Sequence, residues 1–280
     1  MKRTSEDSVP LSPTSSSSGS IMFKLPYLEI CADIFDKRYR NRVLQKLDMK
    51  QDKCINVAIG TLNEYLVGHE LKKVWREGFS LWFQFKNYAV LEINLSASAE
   101  FQMILQNQEG TAGLLALNFS GGQILSVKDS QKLSRFNLNP EPLAIPDVLS
   151  KEMSIDYLMN LFAETEQEIK SLLIDQRVIR GIDPAYADEI LWFANISPFS
   201  IVSRIPKAEV KVLHKTIRYV LQDAIKQARK LDLLNDRQKA PDVLMIHHAR
   251  KKYSPTGKVI QMKSAHNITT YYTEEQILYV

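Results

Sequence analysis

The spacing of apolar residues changes along the chain and separates a mixed N-terminal half from a helical C-terminal half. Apolar residues at roughly helical spacing predict a helix over 25–39. Two β-rich runs, each interrupted by a short turn, predict hairpins over 80–95 and 114–127. A β-sandwich that carries one N-terminal helix accounts for this half of the chain.

The second half is predicted to be helical. Three prolines within 137–147 indicate an interdomain linker. Helices are then expected over 155–163, 166–174, 184–194 and 207–230, and the last of these is long and basic. Its apolar stripe, which should face the core, consists of Leu213, Ile217, Val220, Leu221 and Ile225. The final forty residues indicate a small hairpin unit.

These patterns predict an α+β multidomain fold, and 280 residues suffice for more than one core. Residues 1–21 are rich in serine with little to bury, so we expect a disordered tail there. The β-sandwich domain is assigned to 22–148, the helical domain to 149–240 and the hairpin unit to 241–280.

Composition is that of an ordinary globular protein, with 45% hydrophobic and 24% charged residues. No apolar run approaches the ~18 residues that span a bilayer, and the polar N-terminus does not resemble a signal peptide. Only Cys31 and Cys54 are present, so no disulfide framework is expected. We therefore expect a reduced, intracellular protein without a membrane partner.

Charge is distributed unevenly although the net charge is only +4. Between Arg204 and Lys263 there are fifteen Lys and Arg against five Asp and Glu, an excess of ten positive charges. The excess is consistent with a solvated helical surface. Its concentration in the C-terminal third favours an extended polyanion as the partner.

The most informative stretch runs from Leu172 to Pro198. An apolar helix ends near Gln176, a glycine-bearing turn follows, and a second helix begins with Asp183 as N-cap and Pro184 in the first position. Backbone N–H groups at such a helix start form an anion site, and a phosphate is the usual anion.

This stretch resembles the helix–two-turns–helix segment of the formamidopyrimidine-DNA glycosylase and endonuclease VIII family. A leucine pair with Asp-Gln, then Gly-Ile, Tyr-Ala-Asp-Glu-Ile-Leu-Trp and Ile-x-Pro, all fall in register. The resemblance implies a β-sandwich, a helix–two-turns–helix domain and a finger hairpin that grip double-stranded DNA, possibly damaged or abasic. The DNA contacts that it implies are Gln176, Gly181, Asp183, Tyr186, Lys258, Lys263 and Asn267, the last in place of the finger arginine.

The resemblance also implies that the finger lacks its zinc. Tyr253, Thr256, Tyr272 and Glu275 stand where the family has two CxxC pairs, and they cannot form a thiolate tetrahedron. We therefore expect neither metal nor cofactor, with aromatic packing among Tyr253, Tyr271 and Tyr272 as the core of the hairpin. The alternative metal ligands are His247, His248 and His266.

The family's catalytic residues are replaced in this chain. Phe23 stands at the N-terminal proline whose amine attacks the sugar, Lys24 at the following glutamate, and Phe79 at the hairpin lysine. These replacements hold even if translation begins at Met22 instead of Met1. Lys24 is the one replacement that retains an amine for Schiff-base chemistry.

The residues that fill the gap left by an everted base are predicted to be missing as well. Ala97 replaces a methionine, and residues 129–133 read Asp-Ser-Gln-Lys-Leu where the family has Asp-Pro-Arg-Arg-Phe. The family's Gly-Asn in the helix–two-turns–helix loop is Asp183-Pro184. Phe79 and Ala97 are equally consistent with core residues of a sandwich that kept its fold.

Three functions remain open at this point. We favour a monomeric DNA-binding member of the base-excision-repair family that lacks the standard chemistry, located with the nucleoid or, in a eukaryote, the nucleus. The second is an active glycosylase and apurinic-site lyase that uses Lys24 or the N-terminal amine. The third is a protein- or RNA-interaction module on the same fold.

Overall fold

The computed structural model describes residues 24–105, 113–230, 244–265 and 267–280. The predicted tail, Phe23 and His266 therefore lie outside the described residues. Among the described helices, none combines the length and the apolarity that crossing a membrane requires.

Two four-stranded antiparallel sheets form the N-terminal half. Their strand orders are β1-β6-β7-β5 and β2-β3-β4-β8. Both predicted hairpins are present, since β3 pairs with β4 and β6 pairs with β7. The strands are β1 (Leu44–Met49), β2 (Leu71–Glu77), β3 (Ser80–Phe85), β4 (Val90–Asn94), β5 (Ala99–Leu105), β6 (Leu115–Phe119), β7 (Gln123–Asp129) and β8 (Arg135–Leu138).

Helix α1 (Lys24–Tyr39) confirms the predicted N-terminal helix and packs into the sandwich. Alternating strand residues point into the same core, where the Phe35 ring lies 5.0 Å from that of Phe101. A second, short helix, α2 (Ile59–Leu66), was not predicted. It adds Leu62 to the core, so the sandwich carries two helices.

The helical half contains α3 (Ile155–Ala163), α4 (Ile169–Ile174), α5 (Pro184–Phe193) and α6 (Lys207–Ala228). Ser154 caps α3 by accepting the Tyr157 N–H at 3.1 Å. Helix α4 is shorter than predicted, because the backbone at Glu168 is extended and bridges to Ile201.

Helix α6 is the spine of this half and packs against α1, α3 and α5. Its predicted apolar stripe is buried, whereas Lys211, Lys215 and Lys226 are exposed. The helix thus contributes one apolar face to the core and leaves a basic face in solvent.

The C-terminal unit is an antiparallel hairpin of β9 (Gln261–Ala265) and β10 (Ile268–Tyr272). The chain then returns to the helical half, where the Ser197 N–H donates to the Ile277 carbonyl at 2.8 Å. Strand β10 packs on α5, so the hairpin is docked against the helix–two-turns–helix region.

Candidate nucleic-acid interface

Gln176 organises the turn between α4 and α5. Its Nε2 donates to the carbonyls of Ile174 at 3.0 Å and Ile182 at 2.9 Å, while its Oε1 accepts the Gly181 N–H at 2.9 Å. Gly181 has φ +103°, and a Cβ there would lie 3.1 Å from a methyl of Leu25. Two of the predicted DNA contacts, Gln176 and Gly181, therefore use these groups to build the turn.

The start of α5 is capped by the chain itself. Asp183 Oδ1 accepts the Tyr186 N–H at 2.9 Å, and Pro184 has no N–H to offer. Tyr186 is buried, and burial raises the pKa of its hydroxyl well above the ordinary value. The Asp183 carboxylate therefore occupies the predicted anion site. A phosphate there would find fewer free N–H donors and would be repelled by the like charge.

A buried ion pair connects α4 to α5 beneath the C-terminal hairpin. Lys170 Nζ lies 2.6 Å from Asp188 Oδ1 and donates to the Thr269 carbonyl and the Thr270 hydroxyl, each at 2.9 Å. Burial lowers the pKa of Lys170, although Asp188 counteracts it. This fully engaged lysine holds the base of the hairpin to the helices.

Asp188 and Glu189 anchor the segment that leads into the hairpin. Asp188 Oδ2 pairs with His247 Nδ1 at 2.7 Å, and Glu189 accepts the backbone N–H groups of three successive residues. Burial raises the pKa of Glu189, which these donors oppose. Sequence reasoning missed this role; the available signal was a pair of acidic residues in an otherwise apolar helix. The three donors are Met245, Ile246 and His247.

A polar link joins two positions where the family has zinc cysteines. Thr256 Oγ1 donates to Glu275 Oε2 at 2.6 Å and lies 2.7 Å from the Ser254 hydroxyl. Thr273 and Gln276 extend the network, since the Thr273 N–H donates to Gln276 Oε1 at 2.8 Å. Among the described residues, no three His, Cys, Asp or Glu side chains are grouped to hold a metal ion.

The predicted aromatic core of the hairpin is wrong. Tyr253 is 62% exposed, so it packs in no core. Tyr271 lies against the His247 ring at 4.6 Å between centroids, and Tyr272 lies against Phe199 at 5.0 Å. The tyrosines attach the hairpin to the helical half, because the polar link already closes the hairpin base.

The three predicted hairpin contacts are all exposed. Lys258 Nζ lies 3.1 Å from Glu274 Oε1, and Lys263 Nζ lies 4.5 Å from the centroid of the Phe199 ring. Asn267 occupies the β9–β10 turn with φ +63°. Lys263 pairs with Thr270 in the middle of β9, whereas Asn267 lies in the turn, and a phosphate can approach both exposed side chains.

The hairpin turn between β2 and β3, the family's lysine position, is now apolar. Phe79 is half-buried and packs against the cores of both halves. Gly78 has φ +56°, and a Cβ there would lie 3.2 Å from the Cβ of Arg180. Lys24 is the first residue of α1. The turn between β2 and β3 therefore joins the two lobes, and it presents no lysine.

Ion pairs reinforce this junction. Arg76 makes a two-pronged contact with Asp147, with Nη2 2.9 Å from Oδ1, and also bonds Glu29. Burial raises the pKa of Asp147, but Arg76 holds it below the usual range. Arg180 Nη2 lies 3.2 Å from Glu77 Oε2, a further pair between the lobes.

Asp129 joins the two loops where the family places its base-replacing residues. Its carboxylate accepts hydrogen bonds from Ser96 and Ser98 on one loop and from Ser134 on the other. Burial raises the pKa of Asp129, but the hydrogen bonds led by Ser134 hold it well below the usual range.

The second of these loops also carries an exposed apolar side chain. Leu133 follows Asp129 at the position of the family's phenylalanine, and its side chain is 57% exposed. Its N–H donates to Asp129 Oδ2 at 2.9 Å, which fixes the loop beneath it. Ala97, also exposed, is too short to act as a wedge.

Comparison with known proteins finds similarity to formamidopyrimidine-DNA glycosylases. The formamidopyrimidine-DNA glycosylase H2TH domain model matches residues 139–233. The formamidopyrimidine-DNA glycosylase of Lactobacillus johnsonii is 23% identical over 275 residues, covering 92% of this chain and all of the relative. That of Protochlamydia amoebophila is 29% identical over 168 residues, which span 58% of this chain and 60% of the relative.

The fold is also found among solved structures. The Lactococcus lactis formamidopyrimidine-DNA glycosylase, solved with DNA containing an abasic site, superposes with a TM-score of 0.78 at 18% identity. The superposition covers 89% of this chain and 97% of the other. A Mycobacterium tuberculosis protein described as formamidopyrimidine-DNA glycosylase-like is 41% identical over 90 residues, 32% of this chain and 56% of that relative.

Proposed function

Because the chain belongs to the formamidopyrimidine-DNA glycosylase and endonuclease VIII family, we propose that it is a DNA-binding protein of base-excision repair. It grips duplex DNA, preferentially abasic or bent, between its two lobes. It does not use the N-terminal-proline chemistry of the family. Its place is then with the cell's DNA, in a nucleoid or a nucleus.

The observation that carries the proposal is the exposed Leu133 on a loop fixed by Asp129. An apolar side chain held at the tip of a loop offers a wedge for a weakened base step, which offsets part of the unstacking cost. An abasic or mismatched site lowers that cost further. An exposed Leu133, together with Phe79 in place of the hairpin lysine, favours a protein that recognises damaged DNA without cutting it.

Affinity is expected to come from phosphate contacts on the C-terminal hairpin and along the basic face of α6. Lys263 on β9 and Asn267 in the turn are the contacts that we favour on the hairpin. The role of Gln176, Gly181, Asp183 and Tyr186 is then to shape the turn, whereas Lys258 supports the hairpin through Glu274.

Binding is tested with the full chain and a labelled duplex of about 25 base pairs, intact or carrying a tetrahydrofuran abasic analogue. We expect tighter binding to the abasic duplex. If the protein makes six to ten phosphate contacts, its affinity should fall by ~10³–10⁵-fold as the salt concentration rises from 50 to 200 mM. Absence of duplex binding at 50 mM salt contradicts the proposal.

Chemistry is tested by borohydride trapping on a duplex that contains a true abasic site. We expect no covalent adduct, because Phe23 stands where the resemblance places the attacking proline amine and Phe79 where it places the hairpin lysine. An adduct mapped to Lys24 or to the N-terminal amine would instead identify an active lyase. Lys24→Ala, in the full chain, distinguishes those two amines.

A further inference from the structure

A groove of about 1000 Å³ lies between the interdomain linker and the outer face of the β2-β3-β4-β8 sheet. It extends from Glu77 to Tyr88 and Val90, at the opposite end of the strands. The loop with Leu133 lies at the first end, where Asn94 pairs with Arg135. The groove therefore extends from the lobe junction at Glu77 to the strand ends farthest from Leu133.

Aromatic rings and prolines line the groove. Trp75 and Trp82 stack with centroids 5.9 Å apart and planes 25° from parallel. Tyr88 is 76% exposed, and the linker contributes Leu143, which is 55% exposed, to the facing wall. Exposed aromatic and apolar side chains gathered in one groove indicate a surface that binds a partner. The prolines that line it are Pro140, Pro142 and Pro146.

The chemistry of this lining fits an extended segment that carries prolines. Prolines three residues apart favour the polyproline II conformation, and this conformation docks in aromatic-lined grooves with few backbone hydrogen bonds. The rings also attract cations: Lys73 Nζ lies 5.3 Å from the Trp75 ring, and Lys72 Nζ lies 5.3 Å from the Tyr88 ring. Glu152 lines the groove as well.

The chain contains such a segment in Val9-Pro10-Leu11-Ser12-Pro13. These residues lie outside the described part of the chain, which begins at Lys24. Glu29, in the second turn of α1, already lines the groove. The eleven residue steps from Pro13 to Lys24 span up to ~36 Å, enough to reach it.

We propose that the groove binds the chain's own segment Val9–Pro13. Pro10 and Pro13 pack against the rings of the groove, of which Tyr88 is the most exposed. This inference stands independently of the proposed DNA function.

The test is photo-crosslinking within the full chain, with benzoylphenylalanine in place of Leu11. After irradiation, peptide mapping should place the adduct within 75–90 or 139–147 of the same molecule. Tyr88→Ala, at an exposed position that leaves the fold intact, should reduce its yield about tenfold, the scale of a lost aromatic anchor. Replacing Pro10 and Pro13 by alanine together should do the same.

Tyr65→Ala is the matched control, since Tyr65 is an exposed tyrosine on α2 outside the groove. It should leave the yield unchanged. Adducts on other surfaces, or a yield that Tyr88→Ala and the double alanine variant leave intact, overturn the proposal. A crosslinked dimer in place of the internal adduct also overturns it, because the occupant is then a second copy.

Discussion

At the scale of single residues, Leu133 and Asp129 have separate roles in the proposed binding mode. Asp129 receives donors from both loops and is buried, so its carboxylate fixes the backbone. Leu133 stands exposed on that backbone and can enter a base step without prior rearrangement. A preorganised wedge loses little side-chain and backbone entropy on binding.

Leu133→Ala should reduce the preference for abasic over intact duplex by about tenfold, the change produced by ~1.4 kcal/mol. The salt dependence should not change, because no phosphate contact is removed. Competition binding at two salt concentrations measures both quantities. Leu278→Ala is the control, since Leu278 is a comparably exposed leucine. An unchanged preference would show that Leu133 is not the wedge.

Asp129→Asn should lower the free energy of unfolding by ~1–3 kcal/mol, since donors that faced a carboxylate lose their acceptor. The pKa of Asp129 is lower in the folded state, so its stabilisation is complete above the ordinary value near ~3.9 and is lost as pH falls below it. Urea unfolding between pH 7 and pH 3 measures this.

The variant should lack that part of the acid-dependent loss. Asp48→Asn, at an exposed aspartate paired with Lys46, serves as the control and should behave like the parent protein. Equal acid sensitivity of the parent protein and Asp129→Asn would assign the loss to other carboxylates.

At the scale of elements, the C-terminal hairpin is stabilised by side chains where its relatives use thiolates. The Thr256–Glu275 bond closes the hairpin base, and Lys170 and Asp188 dock β10 on the helices. Hydrogen bonds within a partly buried network can replace a metal when each donor meets an acceptor. The hairpin is therefore stabilised both by its contacts with the helices and by the Thr256–Glu275 hydrogen bond at its base.

Thr256→Val should destabilise the hairpin by about 1 kcal/mol, because Glu275 loses a donor. A chelator should not change the thermal midpoint of either the parent protein or the variant. Hydrogen exchange in β9 and β10 reports the local effect. Lys258→Gln, which breaks only an exposed ion pair, should change little. A chelator-dependent midpoint would contradict this account of the hairpin.

At the scale of the whole molecule, the turn between β2 and β3 is a junction between the two lobes. The resemblance equates this turn with the catalytic hairpin of the family. Arg76 and Asp147 form a buried pair across it, Phe79 contacts both cores, and Arg180 meets Glu77 at its edge. These contacts hold the two lobes in a fixed relation, so the cleft is formed before any ligand arrives.

Asp147→Asn should destabilise the protein by ~1–3 kcal/mol, since it removes one of the two carboxylates that pair with the buried Arg76 guanidinium and leaves Glu29 as the other. It should also separate the unfolding of the two lobes, which circular dichroism and tryptophan fluorescence follow independently in urea. Glu77→Gln, at the more exposed pair, should cost less than ~1 kcal/mol. Comparable losses of stability in both variants would argue against a dominant role for the buried Arg76–Asp147 pair.

The sequence by itself determined the helix–two-turns–helix region, the hairpins of the sandwich and the long basic helix. Periodic apolar spacing, the Ser154 and Asp183 caps and the glycine at the turn are local signals, each with a direct backbone consequence. The expected replacement of the catalytic residues also rests on the sequence alone, since it compares residue identities at matched positions, and it stays a prediction.

Only the tertiary structure decided how polar and charged groups are used. Gln176 and Asp183 were predicted to face DNA, yet their bonding atoms are engaged within the turn; Thr256 and Glu275 are nineteen residues apart but bond directly. Local sequence cannot reveal these partners, because hydrogen bonds and ion pairs depend on distance in space and on burial. For the same reason, Leu133 became a candidate wedge only when its exposure was known.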